Sequence, residues 1–151
     1  MSTAELTQEE RELFRDNFRK FLAKEILPDY EQWERAEIFP REVWNKLGEN
    51  GYLCVDVPEA YGGFGANFGL SAIIVEELGR AGLGALCSSV SVHSDIVAPY
   101  ILHLGTEEQK QAWLPKMVTG EAVGAIAMTE PGAGSDLQGM RTAATKEGNQ
   151  Y

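Results

Sequence analysis

A chain of 151 residues, 44% hydrophobic and 24% charged, has the balance of a globular protein and can hold one medium domain, or one domain and part of another. Its 23 acids against 13 bases give a formal net charge of −10 with no stripe of Lys and Arg, which excludes a nucleic-acid partner and disfavours an anionic membrane surface. No apolar run approaches the about 20 residues of a bilayer span, and Met1 to Glu5 carry neither an apolar leader nor an Arg-rich transit composition.

Thr7-Gln8-Glu9-Glu10 is a capping box, and Phe14, Phe18, Phe21, Leu22 and Ile26 recur at helical spacing, so the pattern predicts a helix from Thr7 to Pro28 with that stripe in the core. Asp29 to Glu37 predicts a short surface helix carrying Tyr30 and Trp33. Pro40 opens the next helix in its first turn, Val43, Trp44 and Leu47 form its inner stripe, and Gly51 is the expected left-handed cap. Tyr52 to Val57 is an extended apolar connector that crosses the core and turns at Pro58. The glycines Gly62, Gly63, Gly65 and Gly69 fit no nucleotide-loop spacing and predict a flexible loop before a helix.

Leu70, Ile73, Ile74, Glu77, Leu78 and Ala81 give that helix its face. Gly82 and Gly84 separate it from Ala85 to Leu104, where Val90, Ile96, Val97, Tyr100, Ile101 and Leu104 are expected to dominate. The polar residues there (Ser88, Ser89, Ser91, His93, Ser94, Asp95) suggest a cavity wall, and His93 reads as a satisfied, half-buried histidine rather than a ligand. Cys54 and Cys87 are far apart and predict buried free thiols in a reducing compartment, hence a soluble cytoplasmic protein. A second capping box, Thr106 to Gln109, starts a helix expected to end near Pro115. Thr119-Gly120-Glu121 then turns the chain.

Ala122 to Met128, Ala-Val-Gly-Ala-Ile-Ala-Met, is short and apolar and predicts a buried strand. It breaks into Thr129-Glu130-Pro131-Gly132-Ala133-Gly134-Ser135-Asp136, a loop able to bind anions and polar rings. Pro131 presets a turn, Gly132 and Gly134 permit close backbone approach, and Thr129, Ser135 and Asp136 add two hydroxyls and a carboxylate. Met140 to Lys146 predicts a further strand, Glu147-Gly148-Asn149 a hairpin turn, and Gln150-Tyr151 the start of a third strand.

Residues Ala127 to Gly139 resemble the signature of the acyl-CoA dehydrogenase family: small, aliphatic, Ser or Thr, Glu, two free, small, Gly, Ser or Thr, Asp, two free, small. Every position fits. Phe39 to Gly48, Val57 to Gly63 and Gly105 to Gly139 carry the likeness over the whole chain. Val92 to Tyr100, Ala125 to Glu130 and Leu137 to Gly139 are most similar to its long-chain branch. The resemblance implies a mainly α fold, with an antiparallel helical N-terminal domain over 1–121 and the first strands of an incomplete central β domain over 122–151.

It further implies a flavoprotein that uses FAD to oxidise an acyl-CoA thioester to the trans-2-enoyl-CoA. Electrons would pass to an electron-transfer flavoprotein, and the full-length protein would be a homo-oligomer, tetramer or dimer. By position, Ile126, Ala127, Met128, Thr129, Gly134 and Ser135 would line the flavin. Within that set the Thr129 hydroxyl and the backbone N–H groups of Met128 and Gly134 would bond the ring, while Ser135 would also touch the CoA thioester. Glu130 and Asp136 are expected to hold the loop's shape. The family's catalytic Glu lies downstream of this signature, so no catalytic residue is assigned here. Glu76, Glu77 and Glu130 match no such position, and the 151 residues alone are expected to be inactive. Two other readings stay open: a non-catalytic helical module that binds acyl groups or a protein, and a related flavin acyl-CoA oxidase or monooxygenase.

Overall fold

The structure, a computed structural model, describes residues 6–150. Seven α-helices make up its body: α1 (Gln8–Phe21), α2 (Leu27–Arg35), α3 (Arg41–Glu49), α4 (Phe68–Arg80), α5 (Gly84–Ser91), α6 (Ala98–Leu104) and α7 (Glu107–Val118). Among the described residues there are no strands, only isolated bridges at Glu130–Ala133 and Glu147–Gln150. Tyr151, expected to continue a third strand, lies outside the described residues.

Both capping boxes form. The Thr7 hydroxyl accepts the Glu10 N–H while the Glu10 carboxylate accepts the Thr7 N–H, and Thr106 and Gln109 repeat the exchange at α7. Pro28 does not end the first helix. A π turn, Leu22–Ile26, joins α1 to α2, with the Leu27 N–H bonding the Leu22 carbonyl five residues back. A second π turn, Val92–Val97, joins α5 to α6 just before Pro99, and there the Ala98 N–H bonds the His93 carbonyl. Each wide turn re-registers the helix one residue before a proline, which lacks an N–H and would otherwise strike the carbonyl four back.

Pro115 also sits inside its helix rather than ending it. Leu114 and Met117, 0% and 2% exposed, hold that last turn against the core, and packing outweighs propensity. α3 begins at Arg41, with Pro40 as its cap, and closes as expected: Gly51 is left-handed at φ +72°, and Tyr52 N–H reaches the Leu47 carbonyl.

The core is one cluster. Phe18 and Phe21 pack on Tyr52 at centroid distances of 4.4 and 5.0 Å, and the connector runs through the middle with Leu53, Cys54, Val55 and Val57 at most 1% exposed. The loop expected to be flexible is instead tied back to this connector, Gly65 N–H to the Val57 carbonyl and Ala66 N–H to that of Val55. Two hydrogen bonds to a buried segment remove the freedom that glycine content suggested. α1 lies against α4 through an ionic clamp. Arg19 grips the Glu77 carboxylate with two nitrogens at 2.6 and 2.9 Å, and Arg15 bridges Glu77 and Glu76.

The helix Gly84–Leu104 departs from expectation in two ways. With 21 residues and an 18-residue window of mean hydropathy 1.2 it has the length and composition of a bilayer span, contrary to the absence of such a run expected from sequence. It is seated on the body, however, by buried Leu86, Val90, His93, Ser94 and Ala98 and by a hydrogen bond from Ser71 to Asp95. Nor do all of its apolar residues turn inward: Ile96, Tyr100 and Leu104 are exposed, while His93 and Ser94 are buried beside Val90 and Ala98. The π turn accounts for this, because an extra residue per turn rotates every later side chain around the axis.

Candidate functional site

The signature loop leaves the body at a single well-anchored point. His93 is fully buried, not half-buried as expected, but satisfied on both sides. Its Nδ1 accepts the Gly124 N–H at 2.9 Å, which places the ring proton on Nε2, 3.1 Å from the Met117 carbonyl. Trp44 meets the imidazole edge-on at 5.5 Å, and the Cys54 sulfur lies 3.5 Å from Nε2. Burial pushes His93 below its ordinary value and pushes the Cys54 thiol up to about 12, so both are neutral near pH 7. Cys54 is buried as expected; Cys87 is only partly so. At Gly124 the backbone lies so close to the helices that a Cβ would stand 2.8 Å from Val97 Cγ1.

Beyond Gly124 most of the chain is uncovered, Ala133 at 5% exposure being buried and Ile126 and Glu130 half-buried. Ala122–Met128 is not a buried strand: Val123 is 37% and Met128 41% exposed, and Ile126 is half-buried. A strand requires a partner ladder, and no neighbouring segment among the described residues supplies one. Glu130 and Ala133 then exchange both backbone hydrogen bonds across Pro131 and Gly132, closing a two-residue turn. The Glu130 carboxylate accepts from the N–H groups of Arg141 and Thr142 and from the Thr142 hydroxyl, and these bonds hold it below the usual carboxylate range. Glu130 thus shapes the loop. The hairpin turn expected at 147–149 also forms, with Gly148 at φ +63° and a Glu147–Gln150 bridge.

The six residues expected to line a ligand share this exposed stretch. Ala127, Thr129, Gly134 and Ser135 are exposed, Met128 is 41% exposed, and Ile126 turns partly inward. Among the described residues the backbone N–H groups of Met128, Thr129 and Gly134 have no partner, nor do the Thr129 and Ser135 hydroxyls. Gly132 and Gly134 are not left-handed, and a Cβ on either would meet open space. The chain's own packing therefore does not require glycine there. The three conspicuous acids are engaged elsewhere: Glu76 and Glu77 in the arginine clamp, Glu130 in the loop.

Residues 8–121 match the family model described as acyl-CoA dehydrogenase, N-terminal domain. The chain belongs to the acyl-CoA dehydrogenase family. It is 45% identical over 142 residues to the mitochondrial long-chain specific acyl-CoA dehydrogenase of Sus scrofa, covering 94% of this chain and 33% of that protein. The crystal structure of an acyl-CoA dehydrogenase from Geobacillus kaustophilus superposes with a TM-score of 0.88 at 53% identity, over 97% of this chain and 38% of that one. A glutaryl-CoA dehydrogenase from Mycobacterium smegmatis in complex with FADH2 gives 0.85 at 32% identity, over 95% and 36%. The chain spans about a third of the length of the curated relatives it matches.

FAD is the cofactor of acyl-CoA dehydrogenases, and the exposed loop fits such a group: unpartnered backbone donors, two hydroxyls, and two glycines whose missing Cβ atoms leave the same surface open. The sequence reading missed the anchor behind this loop. His93 lies in a run of small polar residues, and a histidine among serines that the fold buries is the signal that could have found it.

Proposed function

We propose that this chain supplies the helical N-terminal domain (1–121) and the first part of the β domain (122–151) of an FAD-dependent dehydrogenase of long-chain fatty acyl-CoA thioesters. The observation that carries the proposal is an exposed loop of free N–H and hydroxyl donors rooted in a rigid core at Gly124. When bound, FAD supplies the hydride acceptor that α,β-dehydrogenation requires. The chain's own part is to bind and orient. The Thr129 hydroxyl and the Met128 and Gly134 N–H groups donate to the flavin ring, Ile126, Ala127 and Met128 exclude water from it, and Ser135 holds the flavin edge and the CoA thioester.

By the family resemblance the base that takes the α proton is a Glu downstream of the signature; the acids most suggestive here are already held, Glu77 by Arg15 and Arg19, Glu76 by Arg15, and Glu130 by the N–H groups of Arg141 and Thr142. An electron-transfer flavoprotein as acceptor, a homo-oligomeric assembly, a cytoplasmic location and the absence of nucleic-acid and membrane partners belong to the same proposal.

The test is Thr129→Val in the flavin-loaded protein, which keeps the shape and removes the donor. A buried ring acceptor left without its partner costs about 1–3 kcal/mol, read as weaker flavin retention or a shifted potential. Thr129→Ser should restore both, and Ser135→Ala should act mainly on acyl-CoA affinity. Unchanged flavin binding and potential in Thr129→Val would overturn the assignment.

A further inference from the structure

The Gly124 N–H needs an acceptor, and the nearest is the one ring nitrogen of His93 that carries no proton. The other nitrogen is committed to the Met117 carbonyl at the end of α7. One imidazole thus joins the π turn between α5 and α6, the last turn of α7 and the first residues of the signature arm. We propose that His93, as its Nε2–H tautomer, is a positioning residue that fixes where the loop 126–135 leaves the helical body. The consequence for flavin rests on the reading of that loop given above; the anchoring itself does not.

The surroundings set this form. Burial disfavours a second proton and outweighs the Met117 carbonyl, which favours one; Arg41 on α3 disfavours it and Asp95, on His93's own helix, favours it. Cys54, from the connector, is a neutral thiol, and Trp44 covers the ring edge without adding charge. A doubly protonated imidazole would turn Nδ1–H against the Gly124 N–H, donor against donor, so the anchor exists only while His93 is neutral. Because the ring's folded value lies below its ordinary value of 6.5, its contribution to stability is complete above about pH 6.5. It declines as the pH falls from there toward the folded value.

Two isosteres separate anchoring from mere filling of the core. His93→Asn places an acceptor oxygen where Nδ1 stands but cannot reach Met117; His93→Gln reaches toward Met117 and leaves Gly124 without an acceptor. In the 151-residue protein, His93→Gln should speed Gly124 amide exchange about tenfold, the equivalent of one hydrogen bond, and increase the motion of residues 125–128 in ¹⁵N relaxation. His93→Asn should leave both near the unsubstituted values, though it too lowers stability. Similar behaviour of the two variants would overturn the proposal. If either fails to fold, the imidazole ¹⁵N spectrum of the unsubstituted protein decides. A protonated Nε2 with a bare Nδ1 near pH 7 supports the anchor, and the opposite tautomer overturns it. These readouts need no flavin, so their failure leaves the Thr129 assignment standing, and the Thr129→Val result leaves the His93 anchor standing.

Discussion

Two short apolar segments of this chain look alike in sequence and end up in opposite environments. Tyr52 to Val57 threads the core, its apolar residues 0–7% exposed. Ala122 to Met128 is as apolar, yet Val123 and Met128 keep 37% and 41% of their surface exposed; the connector, expected to be extended, instead turns at Cys54, whose φ is +50° and whose carbonyl accepts the Val57 N–H. The difference is in what surrounds them. The connector lies in one buried cluster with residues from all seven helices, whereas in the arm Ala122 packs against that cluster and Gly124 is held by His93. An apolar run records that burial is favourable; it does not record which element provides it.

That contrast can be broken by substitution. Leu53→Ala, at 1% exposure, should cost about 2–5 kcal/mol of unfolding free energy by leaving a cavity in the centre, measurable by denaturant titration. A loss below about 1 kcal/mol would mean that the connector is not central. Gly120→Ala should follow at about 2–3 kcal/mol. Its backbone is left-handed at φ +75°, and a Cβ there would stand 2.2 Å from the Trp44 carbonyl oxygen, so the α3–α7 crossing would have to open.

Glu77→Gln should cost about 2 kcal/mol, since the carboxylate is 3% exposed and is the close partner of Arg19; the figure is moderated because Arg15 keeps Glu76 and both arginines reach solvent. Arg19 first, then Arg15, hold the Glu77 carboxyl below its ordinary value of 4.5. The contribution is therefore complete above about pH 4.5 and is lost as the pH falls toward the folded value; Glu77→Gln should flatten that part of the pH–stability curve. At the small end, Met128→Ala in the arm should change stability by less than about 0.5 kcal/mol, because the side chain is 41% exposed and lies outside the core cluster.

Most of the body was legible because its signals are local. Thr7 and Thr106 announce their helices through hydrogen bonds three residues away, and Val43, Trp44 and Leu47 declare their face by spacing alone. The prolines misled in two places. Pro28 and Pro115 both sit inside helical runs, one behind a π turn and one held by Leu114 and Met117, and neither device leaves a mark in the local pattern. The π turn at Val92–Val97 also carries His93 and Ser94 inward, while Ile96 and Tyr100 stay exposed and Val97 and Ile101 pack on the core. The signature loop was readable as a motif over Ala127 to Gly139, but its strands were not. Pairing is a long-range property, and the described residues offer Met140 to Lys146 no ladder. His93 escaped because its partners, Met117 and Gly124, lie 24 and 31 residues away.

The helical body is sealed by its own burial while the arm presents its donors outward. Site-resolved hydrogen exchange of the 151-residue protein separates the two. Amides of Phe18, Leu47 and Leu114 should exchange only through global unfolding, and Gly124 should be protected through His93. Ala125 to Thr129 should exchange at nearly the rate of an unstructured chain. Protection of Ala125 to Thr129 equal to that of the helices would contradict the account, because those donors would then already be engaged.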